Sequence, residues 1–294
     1  MAWFSMHGGH SGEYCRHARG TLQEVIERAI GRGFTTYGLT EHAPRYHQQE
    51  LFADEAGLSP ADLAAMFEAY LPAARELQHR HAGRIEILVG FEAEPIPRPG
   101  EDWTQQTLDI SRDGKFDYMV GSIHHIEGVF IDSNPEQTQQ LAKQLGGMGE
   151  LQRRYFQQVA EMVQRLRPQV VAHLDLVRKY DGFDASFDKP ILAQIEGVLE
   201  VIRDVGSVLE VNAAPARRGT GPVYPLPGIL QRACAMAVPV TLSDDSHGPA
   251  DVGVGLDACM AALATAGYRQ VHCLHRAPGG VEWAAVPLTD VRPA

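Results

Sequence analysis

Histidine is the residue whose number and placing most invite chemistry in this chain of 294 residues: there are 13, and His7, His10, His17, His42 and His47 fall within the first 47 positions. Imidazole is the commonest metal ligand and the usual proton carrier near neutral pH. Along the chain, polar groups able to do chemistry recur directly after short apolar or β-branched runs: His7 and His10, Glu41 and His42, Glu92, His124 and His125, His173, Asn212, then Asp244, Asp245 and His247. A single histidine at such a place is more often a satisfied hydrogen-bonding residue than a ligand. When imidazoles and carboxylates recur run after run, burying them together without a cation would leave desolvated polar atoms unpaired, so a metal is the economical explanation.

The elements that must position these residues read as alternating strands and helices. Strands are expected at Trp3 to Met6, Thr36 to Leu39, Ile85 to Val89, Tyr118 to Val120, Val170 to Ala172, Val208 to Val211 and Val238 to Leu242. Thr21 and Glu24 form a capping box ahead of Leu22, Val25, Ile26, Ala29 and Ile30 at helical spacing, and a second helix opens at Ser59–Pro60 and runs towards His81. Further helices are expected over 150–166, 189–204, 227–237 and 256–266. Such alternation is the signature of βα units in one parallel sheet or barrel, whose strand ends open onto one face. Residues 270–274 with 281–286 could be an eighth strand or a terminal hairpin.

Composition narrows the chemistry. With 26 Lys+Arg against 37 Asp+Glu, the net charge of −11 argues against nucleic acid or an anionic membrane as partner. No apolar run reaches the roughly 20 residues of a membrane span and no signal peptide is evident, so a cytoplasmic location is expected. Cys15, Cys234, Cys259 and Cys273 show no C-x-x-C pair and read as plain thiols.

The ordered set HSGEYCRHARGT, GLTEHAP, GFEAE, GSIHH, AHLDLVRKY, EVNAAPARRG…YP and TLSDDSHG resembles the histidinol-phosphatase branch of the polymerase and histidinol phosphatase (PHP) superfamily, in particular its fungal-type members. The likeness covers about residues 4–255. It implies an α/β fold, a distorted (β/α)7 barrel formed by 1–294 as a single domain, with 256–294 as a terminal helix and strand segment. It also implies two or three divalent transition-metal ions and hydrolysis of L-histidinol phosphate in histidine biosynthesis. Carried over, the metal ligands are His7, His10, His17, His42, Glu92, His124, His173, Asp245 and His247, with Glu92 bridging two ions. This donor set suits Zn²⁺, Mn²⁺ or Fe²⁺.

On that reading Glu92, Asp245 and His247 are the catalytic residues, and a hydroxide bridging two cations is the expected nucleophile. Arg178, Arg217 and Arg218 are the candidate phosphate clamps; Glu94 and Asp132 are candidates for recognising the substrate imidazole and ammonium. Three other readings are a phosphoesterase acting on a different small phosphomonoester or nucleotide, a metal-dependent amidohydrolase, and a metal-loaded binding module. No lysine stands at an expected strand end to bridge metals after carbamylation, and the paired arginines favour phosphate.

One departure concerns register. The family pattern is H-x-H, whereas this chain has His7-Gly8-Gly9-His10. Residues three apart on a strand face opposite sides, so either a bulge restores the pairing or His7 is not a ligand. Two intervening glycines favour the bulge, because glycine enters positive φ without steric cost.

Overall fold

The structure, a computed structural model, describes residues 2–292 apart from Pro99, Asp113, Ser133 and 181–186. Seven parallel strands pair in chain order: β1 Phe4–Ser5, β2 Thr36–His42, β3 Glu86–Ala93, β4 Tyr118–Gly121, β5 Val170–Val171, β6 Val208–Asn212 and β7 Val240–Ser243. The sheet curls until Met6 N donates to Leu242 O at 2.9 Å and Asp245 N to His7 O at 3.0 Å, which leaves a nearly closed barrel ringed by helices. All seven expected strands form. β2 and β3 run further than expected because they stay in register to the pair His42↔Glu92, so Glu41, His42 and Glu92 lie within strands and not after them.

The connecting helices are built as the sequence implies. Thr21 accepts from Glu24 N and caps Leu22–Gly31, whose Leu22, Val25, Ile26 and Ala29 face the core; Ser59 and Asp62 close the same reciprocal box ahead of Pro60–Arg80. Helices over Met148–Leu166, Lys189–Val205, Pro227–Ala235 and Leu256–Ala266 complete the expected set. Gln105–Arg112 and Pro135–Leu145 were not expected. They bury few residues: in Gln105–Arg112 only Thr107 is buried, and in Pro135–Leu145 only Thr138, Leu141 and Ala142. Among the described residues no helix is long and apolar enough to cross a membrane.

The segment left open between eighth strand and hairpin is a hairpin. Gln270–Ala277 and Gly280–Pro287 pair antiparallel and do not join the barrel sheet. They lie against the start of β3, where His275 Nδ1 is 2.7 Å from Glu86 Oε2 and Arg276 N donates to Glu86 Oε1 at 2.8 Å.

Small residues on β2 and β3 let an aromatic ring fill the barrel. Tyr118 lies across Gly90 and Gly38, and its hydroxyl donates to Met6 O at 2.8 Å. A Cβ at Gly90 would stand 2.7 Å from Tyr118 Cε1 and 2.8 Å from Tyr118 O, closer than real contacts allow. Gly90→Ala is therefore expected to destabilise the fold by about 1–3 kcal/mol. Gly197→Ala, in open space on the helix Lys189–Val205, should raise stability by about 0.5–1 kcal/mol. Thermal melts of the two variants test this; a Gly90→Ala melting temperature at or above that of the parent protein would refute the packing argument.

Candidate metal centre

The carboxyl ends of the strands place the histidines and carboxylates in one bowl. After β1 the chain bends through Gly8 at φ +142° and Gly9 at φ +72°. A side chain at Gly8 would meet Asp244 Oδ1 and Ser246 N, and the bend is held by Gly8 N donating to Thr40 Oγ1 and His10 N to Ser246 O, both at 3.0 Å. The extra residue turns His7 and His10 to the same side, with ring centres 5.8 Å apart. Two non-glycine residues at the rim, His173 at φ +20° and Asp245 at φ +47°, also hold the backbone conformation that L side chains rarely adopt.

Glu92 lies at the floor. Its two oxygens approach five imidazoles: His42 Nδ1 at 2.9 Å, His7 Nε2 at 3.3 Å, His173 Nε2 at 3.4 Å, and His10 Nε2 and His124 Nε2 at 3.9 Å. Burial alone would raise its pKa, but His7 and His42 hold the carboxyl well below the usual range. The ring of His10 stacks against those of both His42 (4.4 Å) and His247 (4.3 Å). Burial, aided for His10 by His42 and for His247 by His10, pushes both imidazoles well below their ordinary pKa, so they are neutral.

A second ring of carboxylates, only partly anticipated, orients the imidazoles. Glu210 Oε1 is 2.7 Å from His7 Nδ1, while its Oε2 accepts from His173 N at 2.5 Å and Asn212 Nδ2 at 3.1 Å. Glu41 accepts from Ser11 N at 2.7 Å and stands 3.4 Å from His10 Nδ1. Asn212 Nδ2 also donates to Asp245 Oδ2 at 3.1 Å. Glu210 carried a legible signal: a lone charge inside the apolar strand VLEVN, pointing into the barrel. Glu94, a candidate for recognising substrate, stands 2.6 Å from His42 Nδ1 and 3.0 Å from His124 Nδ1, accepts from Arg45 Nη1 at 3.2 Å, and borders the cavity above the floor. The pattern gave no sign of Arg45, which is buried between Glu94 and Glu55.

Above this floor opens a small cavity of about 70 Å³, lined among others by Glu92, Phe130, Asp132, Arg218, Tyr224 and His247. The three arginines part company here. Arg218 lines the cavity; Arg217 does not, its guanidinium donating to the carbonyl oxygens of Asp244 and Asp245. Arg178 is 1% exposed and lies outside the lining, its Nε donating to Asp175 Oδ2 at 2.6 Å and its Nη2 to Val223 O at 3.0 Å beneath the ring of Tyr224. Of the three candidate phosphate clamps Arg178, Arg217 and Arg218, only Arg218 thus borders this cavity, while Arg178 and Arg217 donate to neighbouring groups of the protein. Asp132 is at the cavity with Lys179 Nζ on its Oδ1 at 2.7 Å. His125 turns away from its neighbour His124 and packs against Phe52 and Phe130, which stack on each other.

Seven buried atoms of the bowl make no hydrogen bond: His7 Nε2, His10 Nε2, His42 Nδ1, Glu92 Oε1, Glu94 Oε1, His124 Nδ1 and His173 Nδ1. Several lie close to an opposite charge without the alignment of a hydrogen bond. Burying so many unpaired groups is costly, and cations would satisfy them. The donors fall into groups whose ligand atoms lie within 4.8 Å of one another: His7, His10 and Asp245; His10, His42 and Glu92; Glu92, His124 and His173; and Cys15, His17, His42 and His247. Nitrogen and carboxylate donors in such sets fit divalent transition metals.

The sequence pattern of the PHP domain family matches residues 7–214. The chain is 34% identical over 279 residues to the probable histidinol-phosphatase of Schizosaccharomyces pombe, covering 92% of this chain and 89% of that protein. It is 27% identical to the histidinol-phosphatase of Saccharomyces cerevisiae, with 85% of each covered. Two solved structures share the fold. The putative histidinol phosphatase of Listeria monocytogenes superposes with a TM-score of 0.74 at 24% identity, covering 86% of this chain and 98% of that one. The histidinol phosphate phosphatase of Lactococcus lactis, solved with Zn, L-histidinol and phosphate, gives 0.69 at 19% identity, covering 92% and 95%.

Two outcomes follow from this geometry. His7→Ala and His10→Ala are expected to lower bound metal alike, as elemental analysis can read; a His7→Ala protein with full metal content beside a depleted His10→Ala would remove His7 from the centre. Glu210→Gln, which keeps the shape but weakens the partner of His7 Nδ1, should lower metal affinity about 10–100-fold with an unchanged far-ultraviolet spectrum. Titration against a competing chelator measures it, and an unaltered affinity would count against the orienting role.

Proposed function

From the premise that this chain belongs to the PHP domain family, we propose that it is a metal-dependent phosphomonoesterase that hydrolyses L-histidinol phosphate to L-histidinol and phosphate, a step of histidine biosynthesis carried out in the cytoplasm. The observation that carries the reading is the alignment over nine-tenths of the chain with a protein named probable histidinol-phosphatase, coupled to a cavity that joins a dense metal-donor floor to Arg218. His7, His10, His17, His42, Glu92, His124, His173, Asp245 and His247 would hold two or three divalent ions, Zn²⁺, Mn²⁺ or Fe²⁺. When bound, such ions supply Lewis acidity towards a phosphoryl group and make water acidic enough to attack it at neutral pH.

The protein's own part is positioning. Arg218, on the cavity wall, is the donor suited to the phosphoryl oxygens as charge builds on them. Burial would raise the pKa of Asp245, but His7 and Arg217 hold it well below the carboxylate range, so it stays an ionised group. Glu92 keeps the imidazoles gathered, and His247 stays neutral. Asp132 offers a carboxylate to the substrate ammonium, while Phe130 and Tyr224 give aromatic walls for its imidazole.

The amidohydrolase reading loses support. The lysines of the chain are Lys115, Lys143, Lys179 and Lys189, and the one beside the cavity, Lys179, is tied to Asp132.

Phosphate release from L-histidinol phosphate, measured beside a panel of other phosphomonoesters, should show a clear preference for the former, vanish in excess chelator and return with Zn²⁺, Mn²⁺ or Fe²⁺. Equal rates across the panel would defeat the substrate assignment, and full activity in chelator the metal dependence. Arg218→Lys is expected to cut kcat/KM about ten- to hundredfold, since a point charge cannot reproduce a two-pronged contact. Arg178→Lys should act first on stability, lowering the melting temperature. An Arg218→Lys enzyme within about twofold of the parent would strike Arg218 from the clamp.

A further inference from the structure

Cys15 reads in the sequence as an ordinary buried thiol, and nothing in the H-x-x-H or T-E-H patterns calls for it. The tertiary structure gives it unusual company. A tight turn, with Cys15 N donating to Ser11 O at 2.9 Å and Ala18 N to Cys15 O at 3.3 Å, sets Cys15 and His17 on the same side of the loop. There the sulfur and one ring nitrogen from each of His17, His42 and His247 all lie within 4.8 Å of one another. His17 Nε2 and His42 Nε2 face each other at 3.2 Å, and the rings of His17 and His247 are 4.9 Å apart. Cys15 is 5% exposed, and the His42 side chain is nine-tenths buried.

A thiol so enclosed by apolar or neutral groups would be inert. Here its neighbours are instead the ring nitrogens of His17, His42 and His247. Three imidazoles and one sulfur at a common point are a donor set of the tetrahedral Cys-His type.

We propose that Cys15 is a thiolate ligand, completing with His17, His42 and His247 a fourfold site for one divalent ion. This rests on the metal dependence argued above and adds a donor to it. On binding, the Cys15 S–H proton is released to solvent and the sulfur lone pair is given to the cation. This is the one group of donors with a soft ligand, so it should favour Zn²⁺ or Co²⁺ over Mn²⁺, whereas the groups built on Glu92 hold only nitrogen and oxygen. With four protein donors this site leaves the least room for substrate, which assigns substrate contact to the ions at Glu92.

Cobalt is the probe. The full chain, stripped of metal and reloaded with Co²⁺, should show a thiolate-to-cobalt charge-transfer band in the near ultraviolet beside its visible d–d bands. Cys15→Ser should lose the former, keep the latter, and bind one cobalt about 10–100-fold more weakly; Cys234→Ser should keep both. Visible bands without a charge-transfer band in the parent protein, or a band that survives in Cys15→Ser, would overturn the ligand assignment and leave the metal reading intact. No cobalt uptake at all would overturn both. Should Cys15→Ser fail to fold, alkylation of Cys15 in the parent protein, mapped by mass spectrometry, decides: slowing by cobalt supports the thiolate, and an unchanged rate refutes it.

Discussion

The buried carboxylate of Glu92 sets the terms for the rest of the molecule. Five imidazoles converge on its two oxygens within 3.9 Å, and they come from the ends of β2 and β5 and from the loops after β1 and β4. An ion taken out of water is stable only where opposite or donor groups are held around it in good geometry. That requirement fixes the height at which each strand must end. The register His42↔Glu92↔Val120 across β2, β3 and β4 delivers it.

Imidazoles can serve one such point only if each presents the correct nitrogen, and this is the task of the outer carboxylates. Glu210 and Glu41 face Nδ1 of His7 and His10, which leaves both Nε2 atoms directed at Glu92. Glu94 lies against His42 and His124 and is itself held by Arg45. Partners of this kind fix ring orientation and raise ligand basicity.

The same economy explains why arginines adjacent in sequence differ in work. Arg217 secures the Asp244–Asp245 carbonyls and so the strained turn on which Asp245 rides at φ +47°. Arg178 packs under Tyr224, within the wall of the cavity. Arg218, one residue on from Arg217, faces the cavity instead. At the other end of the barrel, Tyr118 occupies the interior that Gly38 and Gly90 leave open, which keeps that end packed and not a pore.

Much of this was legible in the sequence because it is local or repetitive. Seven β-branched runs separated by helical periods specify a parallel βα sheet, the Thr21–Glu24 and Ser59–Asp62 boxes mark helix starts, and a ligating residue type at strand end after strand end marks the active face. The glycine pair between His7 and His10 even signalled the bend that brings those rings together. What the sequence could not decide was which of two neighbouring polar side chains points inward, because that depends on strand register and barrel curvature. The different roles of Arg178, Arg217 and Arg218, the approach of Glu94 to two histidines, the place of Glu210 beneath His7 and the meeting of Cys15 with three imidazoles are all contacts between residues far apart in the chain. Only closure of the barrel sets those distances, since side chains that share no local period are brought together by the packing of the elements that carry them.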